Sequence, residues 1–154
     1  MRRRAAVPEL LTIGYEGCTI QDVLAALVEA QVALLLDVRA VPRSRKPGFS
    51  KRQLAAGLDE RGIAYVHLQG LGTPKAGRDA VRAGHPEIMR GIFCDHMTSD
   101  RAQAELAQAK VLAREKRVCL LCFERDPACC HRRIVAEMIA ADTGQDVADL
   151  VAGG

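Results

Sequence analysis

The chain predicts an α/β domain: a mostly parallel sheet of about four strands, flanked by helices in three layers. Three observations carry this. Short apolar runs alternate along the chain with stretches of helical periodicity. The run "VALLLDVRA" is apolar without interruption, as suits a strand covered on both faces. Each run also stops at polar, charged or glycine residues, so the strand ends share one chemical character.

The elements follow in order. Residues 1–9 are basic, then Ala-rich, then interrupted by Pro8, and read as a flexible tail before a single domain over 10–150. "LLTIGYEG" is a first strand ending near Tyr15. Thr19 is placed to cap a helix whose stripe is Val23, Leu24, Leu27 and Val28. "VALLLDVRA" is the second strand. Ser50 and Gln53 have capping-box spacing before a helix through Leu54 and Leu58, and Gly62 is placed to end it. "IAYVHLQGLG" alternates and then turns on glycines, as a third strand would. Pro86 starts a helix turning Ile88, Met89, Ile92 and Phe93 inward. Asp100 is expected to cap the next, with Leu106 and Leu112 on its apolar side. "RVCLLCFE" is the fourth strand. A last helix from about residue 129 carries Ile134, Val135, Met138 and Ile139.

Composition limits the function. With 154 residues and no Trp, the core is aliphatic, and aromatics are too few for a stacking platform along single-stranded nucleic acid. The start, MRRRAAVPELL, has no apolar h-region, and no apolar run is long enough to span a bilayer. The expectation is a cytoplasmic protein without a membrane partner, its six cysteines thiols rather than disulfides. The net charge of +3 is concentrated: Arg39, Arg43, Arg45, Lys46, Lys51 and Arg52 face one acid, Asp37, between residues 37 and 52. Such a field favours an anionic small molecule or a nucleic acid.

In open parallel sheets ligands bind beyond the carboxyl ends of the strands. Those ends supply Gly14, Tyr15, Glu16 and Gly17, then Asp37 and Arg39, and finally Glu124. The stretch "CFERDPACCHRRIVAE" brings a helix N-terminus to the same rim, where free N–H groups attract an anion. Arg39, Arg43 and Arg132 are the expected cradle, with Ser44 beside them. Arg133 is better placed to pair with Glu137 one turn on. Glu16, Asp37 and Glu124 are candidate acid–base groups, and together suit magnesium as a possible cofactor. Cys130 with His131 is either a thiolate nucleophile with its base or a buried structural pair; adjacent helical residues diverge by about 100°, which argues against one shared small ligand. Cys119 and Cys122 lie three apart in a strand and must face opposite sides. Cys122, Cys129, Cys130 and His131 match no strong zinc spacing, so no metal ligand is assigned. The Cys119-to-Arg125 interval has phosphatase spacing but lacks the glycine its anion loop needs.

"TIGYEG", "LLLDVRAVPRSRKPGFSK", "LGTPK" and "LLCFERDPACCHRRIVAE" together resemble the domain-of-unknown-function 488 family. The resemblance implies a small cytosolic bacterial or archaeal α/β protein of unestablished activity. Its pattern falls on Gly14, Tyr15, Glu16, Gly17, Asp37, Arg39, Pro42, Arg43, Ser44, Cys122, Glu124, Pro127, Cys130, His131 and Arg132. "LLLDVRA" is also similar to the second-strand motif of rhodanese-type sulfurtransferases, though no glycine loop follows Cys122. The leading expectation is binding of a phosphate-bearing ligand at the rim, with phosphoester hydrolysis as the enzymatic form. The alternatives are a thiol enzyme using Cys130 or Cys122, and a non-catalytic module whose basic loop docks a protein or DNA.

Overall fold

The computed structural model describes residues 8–153, so most of the tail expected over residues 1–9 lies outside the described residues. In chain order the elements are β1 (Leu10–Gly14), α1 (Ile20–Glu29), β2 (Leu34–Asp37), α2 (Lys51–Asp59), β3 (Ala64–His67), α3 (Lys75–Arg82), α4 (Pro86–His96), α5 (Asp100–Glu115), β4 (Val118–Cys122), α6 (His131–Thr143) and β5 (Val147–Leu150). Short 3₁₀ turns at Gln69–Leu71 and Pro127–Cys129 follow β3 and precede α6. The five strands form one sheet in the order β3-β2-β4-β1-β5, and every pairing is parallel. The fold is therefore the expected α/β architecture, with one more strand.

Alternation along the central strands fills two cores. Leu11, Ile13, Leu35, Cys119 and Leu121 face α1 and α2. Leu10, Leu34, Leu36, Leu120 and Cys122 face α4, α5 and α6. Cys119 and Cys122 thus point to opposite sides, as strand spacing requires. Helices on both faces explain why β1, β2 and β4 are buried along their whole length.

Local signals succeed where they act within one turn. Thr19 Oγ1 accepts from Asp22 N at 3.1 Å while the Asp22 carboxylate accepts from Thr19 N at 3.2 Å, closing a capping box. Replacing Thr19 by Ala is expected to cost about 1 kcal/mol in a urea melt; no change would mean that packing alone fixes this helix end. Other boundaries differ. Ser50 makes no cap bond, because its hydroxyl and Ser44 bond each other while Gln53 accepts from Gly48 N. Ser99, rather than Asp100, caps α5. Val28 and Ile88 are exposed, since the stripes of α1 and α4 are narrower than their apolar sequence. Helix α3 and strand β5 lie outside the expected set: α3 buries only Gly77, and β5 is a half-buried edge strand carrying Asp149.

Candidate functional site

The strand order creates the site. Chains leaving β1 and β2 run to the α1–α2 face, whereas the chain leaving β4, which lies between them, runs to the α6 face. Connections that part this way leave a crevice at the carboxyl ends. A cleft of about 690 Å³ lies there, lined from the turn after β1 by Tyr15 and Glu16, from the segment after β2 by Arg39, Arg43 and Ser44, and from the β4–α6 segment by Cys122, Phe123, Glu124, Cys129 and His131. Its remaining wall comes from Thr73, Arg78, Val81, Arg82 and Met89.

Asp37 and Arg39 form its rigid base. Asp37 is fully buried and accepts from Arg39 N at 3.0 Å, Arg39 Nε at 2.9 Å, Arg39 Nη2 at 2.8 Å and Tyr65 Oη at 2.6 Å. Arg39 Nη1 donates to the Phe49 carbonyl at 2.7 Å and to Tyr15 Oη at 3.2 Å. Burial opposes the Arg39 charge, but the adjacent Asp37 carboxylate outweighs it and raises the pKa. Burial and the bond to Asp37 likewise raise that of Tyr65. Asp37 therefore holds the floor of the cleft and is not a member of the open lining. The oxygen set Glu16, Asp37 and Glu124, expected to suit magnesium, is not assembled around an open position.

Arg132 also differs from expectation. It is fully buried and turned inward: Nη1 donates to Cys122 Sγ at 3.1 Å and to the Glu124 carbonyl, and Nη2 donates to the Arg125 carbonyl at 3.2 Å. It clamps the turn leaving β4 instead of reaching into the cleft, and burial lowers its pKa. Gly14 makes that clamp possible, since a Cβ there would stand 2.6 Å from the Glu124 carbonyl carbon and 2.9 Å from Arg132 Nη1. Gly17 lies outside the main cleft, in a shallow hollow with Lys46. Arg133 pairs with Glu137 at 3.1 Å, as its spacing implies, and with Asp149 at 2.9 Å.

Helix α6 begins at His131, two residues later than expected. Cys130 is its N-cap, with extended backbone (φ −126°, ψ 140°), so the 100° divergence of helical neighbours does not apply. Cys130 Sγ instead lies 3.7 Å from His131 Nδ1. Cys130 is also in bonding contact with Cys122 at the end of β4, which corrects the expectation that all six cysteines are free thiols; Cys18, Cys94, Cys119 and Cys129 are unpaired. His131 Nε2 lies 2.7 Å from the Val38 carbonyl. A carbonyl only accepts, so the ring proton sits on Nε2 and the Nδ1 lone pair faces the sulfurs. Burial, only partly opposed by that bond, brings the His131 pKa down to about 4 and keeps the ring neutral.

Glu124 and Glu16 differ in setting. Burial raises the Glu124 pKa, whereas Glu16 is exposed and accepts from Arg125 N at 3.1 Å. Among the described residues Arg43 makes no hydrogen bond or ion pair, Arg78 bonds only the Thr73 carbonyl, and Arg82 pairs with Asp79. Arg78 and Arg82 were absent from the expected site. Four residues apart after Pro74, they had a readable helical spacing, but Gly77 and the polar composition of α3 masked it.

No helix among the described residues is long and apolar enough to cross a membrane. No curated protein and no solved structure matches the chain. The model of the domain of unknown function DUF488 matches residues 19–139, more than half of the sequence and spanning both sides of the cleft, and the chain belongs to that family.

Proposed function

We propose that the cleft binds a phosphate-bearing small ligand of nucleotide size, and that Glu16 and Glu124 serve hydrolysis of a phosphoester bond in it. The observation that carries the reading is the arginine lining: Arg39, Arg43, Arg78 and Arg82 face one cleft against two glutamates. Of these, Arg43 and Arg78 have no carboxylate partner among the described residues. Arginines left without acids at a concave rim suit bidentate capture of phosphate oxygens. The volume lies within the range of small-molecule sites, and Phe123, about half exposed at the mouth, offers a face for a base. Glu124, disposed by burial to hold its proton, is the acid toward a leaving oxygen, and exposed Glu16 is the base toward water.

Equilibrium titration with nucleoside mono-, di- and triphosphates and short single-stranded oligonucleotides, at low and moderate salt, tests this. Arg43→Ala and Arg78→Ala are each expected to weaken nucleotide binding by about tenfold, and Glu124→Gln to retain binding while losing turnover. Binding indifferent to both arginine variants would refute the assignment of the cleft. A preference for oligonucleotides would replace nucleotide by nucleic-acid end. The thiol route through Cys130 or Cys122 has less support, because both sulfurs are buried and Cys130 lies outside the lining.

A further inference from the structure

We propose that Cys122, Cys130 and His131 form a site for a soft divalent metal of the zinc class, with its fourth position open toward the cleft. The two sulfurs and a ring nitrogen all lie within 4.8 Å of one another, and all three residues are buried. Thiolate sulfur and neutral imidazole are the donors such ions select. Metal–sulfur and metal–nitrogen bonds of about 2.3 and 2.0 Å at a tetrahedral angle place sulfur and nitrogen roughly 3.5 Å apart. Cys130 Sγ and His131 Nδ1 stand at 3.7 Å.

The surroundings are those of a ligated site. His131 commits its Nε2 proton to the Val38 carbonyl, the outer bond that fixes a metal-binding histidine with its other nitrogen free. Arg132 donates to Cys122 Sγ at 3.1 Å, is fully buried, and has no carboxylate in ion-pairing range among the described residues. A thiolate formed at Cys122 on metal binding faces this buried guanidinium, which stabilises it. The Cα atoms of Cys122 and Cys130 are 7.3 Å apart, beyond the roughly 4.4–6.8 Å usual for a disulfide. On binding, each cysteine gives its proton to solvent, so one divalent ion replaces two protons. Cys122 and His131 contribute to the cleft lining and Cys130 does not, which leaves the cleft side for a fourth ligand. The bonded sulfur pair and the metal-bound pair exclude each other, and the site requires the reduced chain.

The site stands apart from the nucleotide reading, and the metal alone probes it. Whole protein, reduced with a phosphine and kept anaerobic, is titrated with Co²⁺ and then Zn²⁺. Expected are one Co²⁺ per chain with thiolate-to-metal charge transfer and tetrahedral visible bands, displaced by Zn²⁺. His131→Gln and Cys130→Ser should lose those bands, while Cys94→Ser, on the exposed face of α4, keeps them. Should those variants fail to fold, alkylation of the wild-type chain decides: Zn²⁺ must protect Cys122 and Cys130, but not Cys94, from iodoacetamide. A reduced protein without the charge-transfer band, or one whose Cys122 and Cys130 alkylate equally with and without Zn²⁺, overturns the site.

Discussion

Replacing Asp37 by Ala is expected to remove roughly 3–5 kcal/mol of stability, on the order of 10 °C in melting temperature for a domain of this length. The effect is large because the carboxylate is fully buried and its loss strands two partners. The Arg39 guanidinium, which Asp37 meets through both oxygens, would be left buried without a counter-charge, and Tyr65 would lose its acceptor at 2.6 Å. An uncompensated buried charge costs more than the intact pair contributes. The double variant Asp37→Leu with Arg39→Met should therefore melt closer to the parent than Asp37→Ala does. Thermal and urea unfolding of the three proteins decides; a single variant within a degree or two of the parent would mean that water reaches Arg39 and the floor is not dry.

The second large effect is at Gly14. Tyr15 N donates to the Cys122 carbonyl and Glu16 N to that of Phe123, drawing the two chain segments together just past their strands. A methyl group at Gly14 would enter the Glu124 carbonyl group, 2.6 Å from its carbon, and crowd Arg132 at 2.9 Å. The first of these is backbone and cannot swing aside. Gly14→Ala is expected to cost about 3 kcal/mol or more. Gly91→Ala, inside α4 with open space around its would-be Cβ, should instead add up to about 1 kcal/mol. If the two substitutions behave alike in urea titrations, close approach is not what selects glycine at position 14.

Signals confined to one element were legible. The unbroken apolar runs located β1, β2 and β4, and Thr19 announced its helix through a bond three residues on. Signals that depend on a neighbour were not. Strand β5 is short and carries Asp149, a residue that makes sense only beside Thr12 and Arg133. Tyr15, Glu16, Arg39, Arg43, Ser44, Glu124 and His131 do line one cleft, as the clustering of polar strand ends implied. The directions of Asp37 and Arg132 were unreadable because both turn inward to satisfy buried groups. The meeting of Cys130 with His131 turned on where the last helix starts, two residues beyond the expected position.

The position of β1 constrains how the chain is assembled. Both of its hydrogen-bonding neighbours come from the C-terminal part of the sequence, with Leu11 opposite Cys119 on one side and Ala148 on the other. During synthesis β2 can find β3 almost at once, but Leu10–Gly14 must wait, apolar and unpaired, until β4 and β5 have left the ribosome. Loop closure on that scale is slow, and an aliphatic segment left waiting invites association between nascent chains.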